Sequence, residues 1–525
     1  MDKQKIKSGD VDQAEVIAFL MRPESYGQSS AISRIDTHIS HVFMVGNQVF
    51  KLKRTVQYDY LDFSTVEKRR RACERELQLN RRAAPEIYRE ICSVNRRPDG
   101  TLGFGPGKPV DWLVVMQRFD ADGLLEEVAR RGELTTPLVR QLADTIADFH
   151  NSLDPHARNE GHSSLAHIIR ENSRCMKEFA GSVFPEKDIA DLRDQSMAEL
   201  EKQKPLLDER ARQGHIRHCH GDMHLANICM WKGAPILFDC LEFNDALATT
   251  DVLYDLAFLL MDLWHRGFHA QANTLYNRYM DMSEEDGGLA ALPLFLSIRA
   301  AIRAHVVATQ ASLEPDEKRC REKERKAKHY LLTALAFLQK SPPRLIAIGG
   351  LSGTGKSTLA AAIASEVGSP PGARLLRTDI VRKRMFGVSP ETRLESESYT
   401  AENSERVYAL LVAKIDATLK SGWSAIVDGV FAKPSERQKI EKLAEDMGAS
   451  FAGIWLNAPV DQLKERVDAR RHDASDADSS VVERQAEYRI GDLGSWIEID
   501  SHKSPDAVAA SALSQLTDQG IVEPE

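Results

Sequence analysis

Three short stretches of this chain carry residue types at spacings that suit phosphoryl transfer. In His220-Gly221-Asp222-Met223-His224-Leu225-Ala226-Asn227 an Asp precedes an Asn by five residues, and the apolar run Ile236-Leu237-Phe238 ends in Asp239. In-line transfer needs a base for the attacking hydroxyl and two oxygen donors for Mg²⁺ at one face, and Asp222, Asn227 and Asp239 suit those roles in turn. The second stretch, Gly350-Leu351-Ser352-Gly353-Thr354-Gly355-Lys356-Ser357, follows Leu345-Ile346-Ala347-Ile348 and opens a helical pattern through Thr358-Leu359-Ala360. Its glycines let backbone N–H groups converge on phosphate oxygens, and the helix N-terminus adds partial positive charge. Lys356 would reach the β/γ-phosphates, Ser357 would ligate Mg²⁺, and Thr354 and Thr358 complete the nucleotide-holding set. Asp428, closing the apolar run Ser424-Ala425-Ile426-Val427, is placed to hold the same cation through water, unless it is only a turn Asp before Gly429. The third stretch, Thr378-Asp379-Ile380-Val381-Arg382, supplies a base in Asp379 and a phosphate or carboxylate partner in Arg382. A helix N-cap Asp beside a surface Arg is its bland alternative.

Arg466, Arg470 and Arg471 recur at helical spacing after the run Gly453 to Leu456, and the loop Asp473-Ala474-Ser475-Asp476-Ala477 follows them. That order suits a lid closing over a transferring phosphate, with a solvated basic face as the competing reading. The cluster His218, Cys219, His220, His224 and Cys229 has no paired C-x-x-C spacing, which disfavours a zinc site.

These residues need elements to hold them. His41 to Val45 and Val49 to Lys53, joined by Gly46-Asn47-Gln48, read as a hairpin that starts a small antiparallel sheet. Helical spacing follows over Thr65 to Asn80, Pro137 to Leu153 and Asp188 to Gln213, with a β-rich run at Trp112 to Phe119. A second β-rich patch, Ile216 to Asp239, precedes the helical Asp251 to Arg266. Beyond Ser341-Pro342-Pro343, strand and helix patterns alternate: Leu345 to Ile348, Lys356 to Val367, Arg374 to Arg377, Ser404 to Lys420, Ser424 to Val427, Ser435 to Met447 and Phe451 to Leu456. Such alternation predicts a parallel sheet with covering helices.

Gly350 to Ser357 matches the Walker A pattern, and residues 343 to about 500 resemble the small P-loop kinases that include gluconate kinase, zeta toxin and the polynucleotide kinase domain. The resemblance implies Asp379 as base and Arg382 as the contact to the acceptor's phosphate. The stretch around Asp222, Asn227 and Asp239, extended by Asp251 and Asp255, resembles the aminoglycoside phosphotransferase and choline kinase group. That likeness implies an ATP lysine on Val49-Phe50-Lys51-Leu52-Lys53, paired with a carboxylate on the next helix. Lys51 with Glu76 is the expected pair, and Lys53 and Glu74 stay open as alternatives, since residues two apart share a strand face. Trp112 to Phe119 would line the adenine pocket. Thr37-His38-Ile39-Ser40-His41 departs from protein kinases, which place a glycine-rich phosphate-covering loop there. Ser40 or a backbone turn is left to substitute.

With 525 residues, 42% hydrophobic and 28% charged, the chain reads as a soluble globular protein of more than one domain. Its formal net charge of -9 disfavours coating of nucleic acid or membrane, while leaving a local basic groove near Arg382 and Arg384 open. Seven unpaired-looking cysteines, a polar start and no uninterrupted apolar span point to the cytoplasm. The expected architecture is an α+β two-lobed kinase-like domain over residues 1–340 and an α/β P-loop domain with a central parallel sheet over 341–525. The implied cofactors are ATP and Mg²⁺, and the implied partners are small hydroxylated acceptors. A nucleotide or polynucleotide 5′-kinase, or a regulatory ATP-binding protein, stands as the alternative.

Overall fold

Two runs rich in β-branched and aromatic residues, 41–45 and 49–53, flank Gly46-Asn47-Gln48, which favours paired strands. In the computed structural model, which describes residues 13–29, 31–58, 61–157, 161–469 and 474–523, Ser40–Val45 and Gln48–Lys53 pair antiparallel. The turn between them places Gly46 at φ 55°, in the left-handed region that suits glycine. The hairpin sits in a six-stranded sheet ordered Ser33–Asp36, Ser40–Val45, Gln48–Lys53, Lys108–Gln117, Tyr88–Arg96, Leu102–Gly103. The run expected at Trp112 to Phe119 is the second half of one of its inner strands. Helix Val66–Asn80 starts where the Thr65 hydroxyl accepts the Lys68 N–H, and it buries Cys73, Glu76, Leu79 and Asn80.

The β-rich patch after residue 216 divides differently from its sequence order. Ile216–His218 pairs with Thr249–Asp251, and Ile228–Trp231 forms a separate hairpin with Ala234–Leu237. The intervening loops therefore converge beside the first strand pair, and they carry Asp222, Asn227 and Asp239.

The chain forms two compact units, 1–164 with 208–259, and 165–207 with 260–525. The division expected near residue 341 follows the end of helix Glu317–Leu338 and lies inside the second unit. One helical stretch of that unit, Glu285–Ser312, is long and apolar enough to cross a membrane, yet 72% of its most apolar window is buried, as in a core helix.

The second unit contains a five-stranded parallel sheet ordered Arg374–Arg377, Ala425–Asp428, Arg344–Gly349, Ser450–Asn457, Ile497–Asp500. Ile346, Ile348 and Ile454 pack on one face with Leu359, Ile363 and Leu516. Leu345, Ala347 and Val427 pack on the other with Leu411, Ile415 and Ile440. Both faces are covered, as a buried parallel sheet requires.

Its edge strand Arg374–Arg377 is closed by helix His269–Ser283. Asn277 Oδ1 accepts the Leu375 N–H at 2.7 Å and its Nδ2 donates to the Ala373 carbonyl at 3.1 Å, so one amide mimics a neighbouring strand. Buried Arg374 pairs with Asp281 at 2.8 Å and Asp286 at 2.7 Å, and Lys414 reaches Asp286 at 3.0 Å. Arg374→Met should lower unfolding free energy by about 3 kcal/mol, because it strands two half-buried carboxylates. Burial works to raise the Asp286 carboxyl, but Arg374 and then Lys414 hold it down at about 2. Its contribution is thus present above the ordinary carboxylate range and lost as the pH falls toward 2. Denaturant titration at neutral and acid pH checks both; a variant as stable as the parent would refute the role of this pair.

Candidate phosphotransfer sites

In the first unit, strand pairing with Val42 and Val114 sets Lys51 on the inner course of the sheet. Its Nζ donates to Glu76 Oε1 at 2.8 Å and to Asp239 Oδ1 at 2.5 Å. The neighbouring Lys53 also reaches Glu76, at 2.5 Å, but it is fully buried and its other partner is Glu242. Lys51 is therefore the lysine that meets Asp239. Glu74, the alternative to Glu76, pairs with Arg70 on the exposed side of the helix. Burial opposes the Lys51 charge, but Asp239 and Glu76 outweigh it and hold its pKa well above the ordinary value. Burial likewise opposes the Glu76 anion, and Lys51 and Lys53 pull that carboxyl down to about 2.

Asp222 and Asn227 meet directly: Asn227 Nδ2 donates to the Asp222 carbonyl at 2.9 Å and to its Oδ2 at 3.0 Å. That commits the amide nitrogen and leaves its oxygen, the donor a hard cation takes, for Mg²⁺. With the Asp239 carboxylate it makes an oxygen set that fits this ion. The loop is held from below by buried Asp255, whose oxygens accept the N–H groups of His220 at 3.1 Å and Gly221 at 2.8 Å. Asp251, the other acid of that helix start, takes a bidentate bond from buried Arg210 at 2.7 and 2.8 Å.

Where the sequence lacks the glycine-rich cover of protein kinases, a tight turn stands. The Thr37 N–H donates to the Ser40 carbonyl at 2.8 Å and the Ser40 N–H to Thr37 Oγ1 at 2.9 Å. Ser40 is completely buried, so the backbone turn is the exposed element. His38 at its tip has its pKa lowered by burial, against the opposing pull of Asp222 and Asp239.

Among the described residues one histidine, cysteine and carboxylate cluster has ligand atoms within 4.8 Å of one another, His150, Cys219 and Asp255. Asp255 is occupied by the loop amides, and burial pushes the Cys219 thiol far up, so this cluster reads as a loop anchor.

In the second unit the phosphate loop joins the central strand Arg344–Gly349 to helix Lys356–Ile363. Gly350 and Gly353 lie at φ 140° and 90°, and a Cβ on Gly353 would meet the Leu463 carbonyl oxygen at 2.6 Å, so side chains are excluded there. Gly355 and Thr354 precede the helix; Thr354 Oγ1 and Lys356 Nζ both donate to the Leu351 carbonyl, at 2.8 and 2.9 Å. Ser357 donates to Asp428, and Arg377 Nε lies 3.5 Å from the same carboxylate oxygen. Register places Asp428 opposite Ile348 and Arg377, at the carboxyl ends of three adjacent strands. Hydroxyl and carboxylate here also fit Mg²⁺. Thr358 is the third residue of the helix and is exposed.

Asp379 opens helix Thr378–Met385. Burial raises its carboxyl, Arg377 opposes this and Asp428 adds to it, so it lies within the field of the Ser357–Asp428 pair. Arg382 donates to the Ser398 carbonyl at 2.8 Å and Ser404 Oγ at 3.4 Å, with its guanidinium 4.6 Å from the Tyr399 ring. Arg384 pairs with Glu284 at 2.9 Å, and buried Lys383 with Asp476 at 2.6 Å. Asp476 also accepts from Tyr399 Oη at 2.5 Å and the Leu394 N–H at 3.0 Å, tying the end of the expected lid to the acceptor side. Sequence reading left Lys383 and Asp476 without roles, because an Asp in a polar loop carries no signal of its partner. Arg466 donates to the Gly353 and Ser501 carbonyls, at 3.5 and 2.9 Å, which makes it a brace for the phosphate loop in this conformation. Arg470, Arg471 and Asp473 lie outside the described residues.

Residues 114–292 match the Phosphotransferase enzyme family and residues 345–489 an AAA domain family. An uncharacterized protein of Mycobacterium tuberculosis, Rv2004c, is 30% identical over 467 residues, spanning 87% of this chain and 90% of its own. The adenylyl-sulfate kinase of Myxococcus xanthus is 34% identical over 114 residues, 22% of this chain and 57% of that enzyme. A choline/ethanolamine kinase family protein from Mesorhizobium loti superposes with a TM-score of 0.38 at 14% identity, covering 62% of this chain and 98% of the other.

Proposed function

Because the chain belongs to the same family as the mycobacterial protein, one that joins an aminoglycoside phosphotransferase-like domain to a P-loop kinase-like domain, we propose that both domains transfer the γ-phosphoryl group of MgATP to hydroxyl groups of small molecules. The observation that carries this reading is that each unit separately gathers a lysine and oxygen donors for a cation: Lys51 with Asp239 and with Asn227, which is bonded to Asp222, and Lys356 with Ser357 and Asp428. Bound MgATP would supply the transferable group and the cation that offsets its charge. Lys51, steered by Glu76, would orient phosphate oxygens; Asn227 and Asp239 would hold Mg²⁺; Asp222 would take the acceptor proton. In the second unit the loop amides from Gly350 to Thr358 and Lys356 would cradle the phosphates, Ser357 and Asp428 would hold the ion, and Asp379 would be the base.

Small acceptors are favoured over polynucleotide ends at the second site because, among the described residues, the cations around Arg382 and Arg384 are already engaged. Arg377, Lys383, Arg384 and Lys414 each have a carboxylate partner, and Arg382 is spent on Ser398, Ser404 and Tyr399. A strand of phosphates needs several free cations.

The test is ATP consumption against pooled sugars, amino alcohols, nucleosides and short oligonucleotides, with products identified by mass spectrometry. Phosphorylated small molecules are expected. Phosphorylated oligonucleotide ends with steeply salt-dependent binding would turn the second site into a polynucleotide kinase, and ATP binding without any product would favour a regulatory role. The pH profile carries a further expectation. Asp379 works deprotonated and its carboxyl is raised by burial, so the acid limb of the Lys356-dependent rate should lie above the ordinary carboxylate range of about 4. Initial rates across pH, with Asp379→Asn as reference, check this; a limb at or below 4 would remove Asp379 as the base.

A further inference from the structure

Lys53 is completely buried beside Lys51, and the transfer reaction described above gives it no role. Two lysines on one strand face bring like charge into the interior, which is costly unless matched. Here Glu76 and Glu242, both buried, and Asp239, which also pairs with Lys51, face the two lysines, so the cluster holds one carboxylate more than it holds ammonium groups, and Asp239, with its side chain 39% exposed, is its outermost acid.

Glu242 lies three residues after Asp239, and every residue between is pinned. The Phe238 N–H donates to the Asn227 carbonyl at 3.1 Å, and the Phe238 carbonyl lies 2.8 Å from His220 Nε2. Asp239, at a φ of 61°, donates its N–H to Tyr88 Oη at 3.1 Å. The Cys240 N–H donates to Asn80 Oδ1 at 2.8 Å, and the Leu241 N–H to the His220 carbonyl at 2.9 Å. Asn80 belongs to the helix that carries Glu76 and donates to the Glu76 carbonyl at 3.0 Å. The Glu242–Lys53 contact ties the end of this loop to the lysine strand.

We propose that Lys53 and Glu242 are a positioning pair for the first site: they clamp the Asp239 loop onto the lysine strand, so that Lys51, Glu76 and Asp239 stay assembled without nucleotide, and they offset each other's charge, so that the exposed Asp239 carboxylate is the acid of the cluster left to meet Mg²⁺. The proposal rests on the assignment of Lys51 and Asp239 to MgATP. It implies a site that needs no swing of helix Val66–Asn80 and no flip of the Asp239 loop to become competent.

The experiment uses the full chain carrying Lys356→Ala, so that binding of a fluorescent ATP analogue reports the first site. The analogue and then Mg²⁺ are titrated, and thermal unfolding is followed in parallel. Glu242→Gln and Lys53→Met should each weaken Mg²⁺-dependent analogue binding about 10–100-fold, as loss of a group supporting metal ligands does. The double variant, which removes both charges, should recover the unfolding temperature lost in the single variants while its affinity stays low. Wild-type affinity and wild-type Mg²⁺ dependence in the double variant would overturn the proposal, leaving the pair a structural contact alone. Lys51→Met separates the two levels. If it leaves binding intact, the nucleotide site itself is misplaced; if it abolishes binding while Glu242→Gln and Lys53→Met do not, only the positioning pair falls.

Discussion

Asp222→Asn should lower phosphoryl transfer by the first unit about 10²–10⁴-fold, the range a positioned general base supplies, with nucleotide affinity unchanged. The substitution is nearly isosteric, and one of the two bonds from Asn227 goes to the Asp222 backbone carbonyl at 2.9 Å and survives it. Asp255 holds the loop through the His220 and Gly221 amides, independently of the Asp222 side chain, so the fold of the loop should persist. What disappears is the carboxylate that accepts the hydroxyl proton. Single-turnover product formation with the acceptor found in the pooled screen, beside analogue binding, separates chemistry from affinity. A variant that still forms product at the parent's rate would exclude Asp222 as the base.

Lys356→Ala should cost the second unit about 10²–10³-fold in transfer, comparable to removing one preorganised donor from developing charge. Lys356 bonds its own loop through the Leu351 carbonyl, a contact a phosphate oxygen would replace, so the stability change should be about 1 kcal/mol. The products lost in this variant should differ from those lost in Asp222→Asn. One product lost in both would instead mean that the two sites act on one acceptor in sequence, and no loss in Lys356→Ala would remove the loop from catalysis.

Much of both sites was legible because their chemistry is local in sequence. The phosphate loop is eight consecutive residues whose glycine positions answer to backbone demands, and the parallel sheet around it follows from strand and helix patterns of ordinary length. Asp222 and Asn227 lie five residues apart in one loop, and Asp239 ends the next hairpin. Lys51 against Lys53 was not decidable in the same way. Both alternate onto one face, and the difference between them is the depth at which each side chain ends, one at Asp239 and the other under Glu242.

The sequence by itself determined that this chain carries two phosphate-handling constellations, since residue type and short spacing suffice to bring those groups to one loop. Tertiary structure decided which charges are free to act. Arg382, Lys383 and Arg384 read as a basic stretch until Tyr399, Asp476 and Glu284, each distant in sequence, are found against them. Nothing local in helix His269–Ser283 marks Asn277 as the residue that completes the sheet edge at Leu375, 98 residues away in sequence. Coulombic and hydrogen-bond partners are set by proximity in space, and proximity between distant segments is a product of packing that no local pattern encodes.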